Sequence, residues 1–189
     1  MLHIETFPLG PLETNCYILW QDDPRRVIVI DPGDDIETLR HALREKTVTG
    51  VLITHAHFDH ILGLPAISGA PIYVHALDAP AMTDAALNCG PEQPAFPYVA
   101  ATDLVREGSQ ITLDGVTFTV LHTPGHTVGS VCYRCGEDLF TGDTLFVGGY
   151  GRVDLPGGDW SQMRQSLERL MALHGLRVYP GHGESGYIR

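Results

Sequence analysis

Short apolar runs, broken by Gly, Pro and Asp, follow one another along the chain. In the first half they predict strands over Leu2 to Phe7, Cys16 to Trp20, Val27 to Ile30, Gly50 to Ile53 and Pro71 to His75. Between the third and fourth of these, Ile36, Leu39 and Leu43 fall at helical spacing. The pattern predicts a helix near Ile36 to Glu45, with Asp35 as its N-cap. A second helix is expected over Asp78 to Leu87, and residues 88 to 101, with Pro91, Pro94 and Pro97, read as a surface loop.

The second half repeats the scheme. Strands are expected over Gln110 to Leu113, Val116 to Leu121, Ser130 to Arg134 and Leu139 to Thr141, with Asp114-Gly115 turning the first hairpin. Asp159 then caps a helix whose apolar stripe is Trp160, Met163, Leu167, Leu170 and Met171, with Gln162 in capping-box position and Gly175 as the stop. Arg177 to Tyr179 is the last strand. Two runs of strands, each followed by helix, predict an α/β fold of two packed sheets with helices outside, as one domain over residues 1–189.

The composition agrees with this picture: 43% hydrophobic and 19% charged residues suit a soluble globular chain. No apolar run approaches the roughly 20 residues of a membrane span, and the start lacks a basic segment followed by an apolar one. A cytoplasmic protein without a membrane partner is expected. The net charge of −11 argues against nucleic acid, which calls for a Lys/Arg-rich face. An anionic substrate would need a local positive feature. Oligomeric state is not readable. Cys132 and Cys135 form a C-x-x-C pattern on a strand, where they would face opposite sides; a structural role is expected.

One stretch departs from plain core sequence. THAHFDH, residues 54–60, places His55, His57, Asp59 and His60 at the end of a strand. In extended backbone, His55 and His57 point the same way and can reach one ion. If a helix starts there, Asp59 and His60 diverge from them toward a second ion, which hints at a two-metal site. Three more candidate ligands follow strands and have glycine beside them: His126 in TPGHT, Asp143 in TGDT and His182 in YPGHG. Four strand ends could converge on one edge. His3, His41, His75, His122 and His174 are read as structural.

These motifs carry a resemblance. THAHFDH, TPGHTVGS, FTGDTLF and YPGHG, in this order, resemble the metallo-β-lactamase fold superfamily; GPLETNCYIL and GRVDLPGGD resemble its small glyoxalase II-like hydrolases. The resemblance covers nearly the whole chain. It implies an αββα sandwich of two mixed sheets, without the C-terminal helical domain of larger glyoxalase II enzymes. It implies that His55, His57 and His126 hold one ion, that Asp59, His60 and His182 hold the other, and that Asp143 bridges both. The expected cofactors are two divalent ions, zinc first, with iron or manganese as alternatives.

The chemistry expected of such a site is hydrolysis of a small-molecule thioester, such as an S-2-hydroxyacyl thiol ester like lactoylglutathione, by a metal-bridging hydroxide that Asp59 orients. Arg152 is the candidate for a substrate carboxylate, with Tyr150 on the same rim. A mononuclear-iron persulfide dioxygenase using His55 or His57, His126 and Asp143 is the alternative, and a lactonase would use the same residues.

Overall fold

The computed structural model describes residues 1–90 and 98–188. Its strands form two six-stranded mixed sheets. The first runs in the order β1 (His3–Leu9), β2 (Thr14–Trp20), β3 (Arg26–Ile30), β4 (Thr47–Leu52), β5 (Ile72–His75) and β6 (Asp103–Val105). β1 to β3 are antiparallel, and β3 to β6 are parallel. The second sheet contains β7 (Gln110–Leu113), β8 (Val116–His122), β9 (Val131–Cys135), β10 (Asp138–Gly142), β11 (Arg177–Pro180) and β12 (Gly186–Tyr187), with the single parallel pair β10/β11.

The layering follows from alternation along the strands. In β2, Tyr17 and Leu19 face one side while Cys16 and Ile18 face the other. Tyr17, Leu19, Ile28, Ile30 and Leu52 meet Phe118, Val120, Val131, Tyr133 and Phe140 from the second sheet. On the outer face of the first sheet, Ile18, Val29, Val51 and Val74 meet Leu39 of helix α1 (Ile36–Ala42) and Ile61 of the one-turn helix α2 (Phe58–Ile61). Leu139 and Val178 cover the outer face of the second sheet together with Leu170, which lies on α4 (Trp160–Met171). Three apolar interfaces between four layers make the expected αββα sandwich. Each fully buried Leu, Ile or Phe contributes about 1.5–3 kcal/mol of transfer free energy.

Most of the expected elements are present. Asp35 caps α1 by accepting from Thr38 N, and Asp159 caps α4 by accepting from Gln162 N. Asp114 and Gly115 both take positive φ in the β7–β8 turn. Cys132 faces α4, whereas Cys135 packs toward the other sheet.

The differences have local causes. Asp78 to Leu87 is not one helix: Pro80 sits in a 3-10 turn, Ala79–Thr83, and Asp84 caps a separate short helix, α3 (Ala85–Asn88). The stripe on α4 is narrower than its pattern. Met163 and Leu170 are buried, but Trp160 and Met171 are about half exposed, and Ser166 takes a buried position by donating to Pro124 O. β6 and β12 were not expected; both are too short for a periodic signal. Pro91, Pro94, Phe96 and Pro97 of the expected surface loop lie outside the described residues. Among the described residues, no helix is long and apolar enough to cross a membrane.

Candidate metal centre

All seven ligand candidates arrive at one edge of the sandwich, on the loops after β4, β8, β10 and β11. His57 keeps extended backbone as the N-cap of α2, so it shares a direction with His55. α2 then begins, and its turn carries Asp59 and His60 away from them. Two hydrogen bonds from the second sheet hold the end of β4: Tyr133 OH donates to Ile53 O (2.9 Å) and Val131 N to Thr54 O (2.8 Å).

Two triads result. His55, His57 and His126 form one; Asp59, His60 and His182 form the other, with the ligand atoms of each within 4.8 Å of one another. In the first, His126 Nε2 lies 2.8 Å from His57 Nδ1 and 3.2 Å from His55 Nε2. In the second, Asp59 Oδ2 lies 3.5 Å from His60 Nε2 and 3.3 Å from His182 Nε2. Asp143 stands between them: Oδ1 is 3.4 Å from His60 Nε2, and Oδ2 is 3.5 Å from both His126 Nε2 and His182 Nε2. Glycine permits this approach. A Cβ on Gly181 would strike Asp143 Oδ1, and one on Gly151 would strike Asp143 O.

The outward ring nitrogens determine what the inward ones offer. His126 Nδ1 donates to Arg152 O (2.6 Å), His182 Nδ1 to Leu12 O (3.0 Å), and His60 Nδ1 to the Asp31 carboxylate (3.0 Å). Thr54 Oγ1 gives its proton to Asp31 (2.6 Å), so it must accept from His55 Nδ1 (3.2 Å). Four rings therefore carry the proton on Nδ1 and present Nε2 as a lone pair when neutral. The lone pairs of His55 and His126 face each other at 3.2 Å, an arrangement that calls for a cation between them. Tetrahedral nitrogens roughly 2.0–2.1 Å from one zinc ion would lie about 3.3 Å apart. Among the described residues, His57 Nε2, His60 Nε2 and Asp143 Oδ1 are buried with no hydrogen-bond partner. The donor set fits two divalent ions, and imidazole with carboxylate suits zinc, iron and manganese alike.

The electrostatics separate the triads. Burial, then neighbouring histidines, drives His55 well below its ordinary value and His57 down to about 3; burial also lowers His126. All three are neutral near pH 7. Burial opposes charge on His60 and His182 too, but Asp59 and Asp143 outweigh it. Together with Asp31 they hold His60 well above the ordinary range, and they raise His182 to about 9. The same pairing overcomes burial to keep both carboxylates well below the usual range.

The model of the Metallo-beta-lactamase superfamily matches residues 9–182. The chain belongs to this superfamily. Its curated relatives include the probable metallo-hydrolase YqgX of Bacillus subtilis, 36% identical over 191 residues, with 93% of this chain and 88% of that protein covered. They also include hydroxyacylglutathione hydrolase GloC of Haemophilus influenzae, 32% identical over 198 residues, covering 96% and 91%. Among solved structures, BLEG-1 B3 metallo-beta-lactamase superposes with a TM-score of 0.89 at 36% identity, covering 98% of this chain and 94% of the other. TTHA1623 in a di-iron-bound form gives 0.80 at 36% identity, covering 97% and 94%. ETHE1 from Myxococcus xanthus gives 0.78 at 29%, covering 98% and 80%.

Within this superfamily member, the two substrate-rim candidates sit differently from the ligands. The Arg152 guanidinium is exposed and makes a two-pronged pair with Asp154, both contacts at 2.7 Å. Its backbone carbonyl, not its side chain, serves the centre through His126. The Tyr150 ring packs on that of Trp160, centroids 5.3 Å apart.

Several positioning residues escaped the sequence reading. Asp31, directly after β3, is buried at a φ of 49° and holds both His60 and Thr54. Thr14 donates to Asp59 Oδ2 (2.7 Å). Asn15 and Tyr17 both donate to Pro180 O, fixing the His182 loop. Asp78 accepts from Ala56 N, Thr127 Oγ1 and Gly129 N, tying the His57 loop to the His126 loop. A non-glycine left-handed residue after a strand, as at Asp31, is a signal visible only once φ is known.

Proposed function

We propose that the protein hydrolyses thioesters, with S-2-hydroxyacyl thiol esters such as lactoylglutathione as the first candidates. The reading rests chiefly on one observation: both triads are fully assembled around Asp143, and partners outside the centre hold Nδ1 of His55, His60, His126 and His182, so that each ring turns Nε2 to the centre. The name of the relative GloC supports the substrate class. Bound divalent ions would supply Lewis acidity and a water acidic enough to attack near neutral pH.

The chain's own residues do the rest. Asp143 faces His126 and His182 with Oδ2 and His60 with Oδ1, so one carboxylate reaches both halves of the centre. Thr14 donates to Asp59 Oδ2, the oxygen that faces His60 and His182, and so holds it in place. Asp31 anchors His60 with a carboxylate, which increases the donor strength of the inward nitrogen. Water adds to the carbonyl carbon, the C–S bond breaks, and the sulfur leaves with the electron pair. A thiol has an ordinary pKa near 8.5, so the leaving sulfur needs little help from a proton donor. An amide nitrogen would need one. The pair with Asp154 occupies Nε and Nη2 of Arg152 and weakens its pull on a substrate carboxylate.

Metal content of the freshly purified protein, followed by saturation kinetics with lactoylglutathione, tests the proposal. About two ions per chain and saturable turnover are expected. Turnover no higher than that of the chelated protein would sink it, and a single iron with oxygen uptake on glutathione persulfide would move the assignment to a dioxygenase.

A further inference from the structure

The β1–β2 turn overhangs the centre and is fastened to it twice. Leu12 O accepts from His182 Nδ1 (3.0 Å), and Thr14 Oγ1 donates to Asp59 Oδ2 (2.7 Å). The turn is internally closed by Glu13 N donating to Gly10 O (3.1 Å), with Gly10 and Glu13 both at positive φ. Its position is therefore coupled to two ligands. Yet the Leu12 side chain is 52% exposed. Beside it lies a cavity of about 260 Å³, walled by Leu9, Pro11, Leu12 and Phe58, with Asp59 at one point and Asp34 at another.

Three features limit what this cavity can hold. Asp59 belongs both to the metal centre and to the cavity wall, so the cavity adjoins the centre at one of its ligands. The walls are apolar, and the two polar groups are carboxylates, which disfavour an anionic occupant. The volume is below the roughly 300–1,000 Å³ of sites for drug-sized ligands, so it suits a short chain and not a tripeptide thiol.

We propose that the cavity formed by Leu9, Pro11, Leu12 and Phe58 beside Asp59 receives the uncharged aliphatic part of the substrate's acyl group, with Leu12 as its specificity-determining side chain. The assignment rests on the thioester reading and deepens it: neutral acyl groups longer than acetyl are the preferred class, and dicarboxylic acyl groups are rejected.

Two measurements on the zinc-loaded protein test this. The first is methyl NMR of Leu9 and Leu12 during titration with pentanamide or with succinamate. Saturable shifts with pentanamide and none with succinamate are expected. The second compares acetyl, butanoyl and succinyl thioesters of N-acetylcysteamine. Two more buried methylenes should raise kcat/KM about tenfold from acetyl to butanoyl, and succinyl should fall below acetyl. Leu12→Ala should cut the butanoyl-to-acetyl ratio to about threefold, and Leu12→Met should restore it. Taking the ratio within one variant cancels any general loss through His182. Absence of a saturable methyl shift with pentanamide, or a ratio unchanged in Leu12→Ala, overturns the proposal. If none of the thioesters is turned over, the hydrolase reading fails while the methyl shifts still decide the pocket.

Discussion

The two halves of the centre solve the same problem in opposite ways. Around His126, three neutral imidazoles aim nitrogens at one point, and burial forbids them from relieving the crowding by taking protons. Around Asp59, carboxylates and raised-pKa histidines neutralise each other, so that half is electrically satisfied by protons alone. An ion entering the first half meets ready lone pairs. An ion entering the second must displace protons from His60 and His182. The ligand count is equal, but the competition differs.

Breaking the element common to both halves should have the largest effect. Asp143→Ala is expected to lower metal content from about two ions per chain to fewer than one, with hydrolysis falling to the chelated background; elemental analysis and kinetics on one preparation check this. Asp31→Ala should act on one half. It removes the acceptor of His60 Nδ1, so affinity for the second ion should fall about 10–100-fold while the first ion stays, as read by stepwise chelator titration.

Acidification should sharpen the contrast. Protons compete for His60 and His182 but scarcely for His57, whose value is about 3. Metal content measured after dialysis from pH 8 toward pH 5 should fall to one ion before it falls to none, and simultaneous loss of both would refute the asymmetry.

A subtler consequence concerns the chelated protein. His57 is depressed, so its stabilising contribution is full above the unfolded value of about 6.5 and is lost as pH falls toward about 3. His182 is raised, so its contribution is full below that unfolded value and is lost as pH rises through about 9. Thermal melts of chelated protein should therefore be most stable near pH 6–7 and decline on both sides. The smallest effect is expected from Asp154→Ala, which frees Arg152. Its melting temperature should barely move, since exposed pairs contribute little, but KM for a carboxylate-bearing thioester should fall.

Much of this was legible beforehand, for reasons that differ by residue. His55 and His57 were readable as a pair because a strand repeats its direction every second residue, and Asp59 and His60 because a helix start changes that direction. Asp35 and Asp159 were readable as caps because capping is local. Asp31 and Asp78 were not readable: their partners lie 22 residues or more away, and nothing in Asp31-Pro32-Gly33 distinguishes a buried anchor from a turn. Trp160 and Met171 misled because helical periodicity marks an apolar face without saying whether another element covers it.

The sequence by itself determined most of the strands, the two capped helices and the seven ligand candidates, because periodicity, capping and ligand spacing are properties of neighbouring residues. Only the tertiary structure decided which nitrogen of each histidine faces the centre, that Arg152 serves through its carbonyl while its guanidinium pairs with Asp154, and that Leu12 stands beside Asp59. Those depend on contacts between chain segments far apart in sequence, where a hydrogen bond or a cavity wall exists only after the sheets have packed.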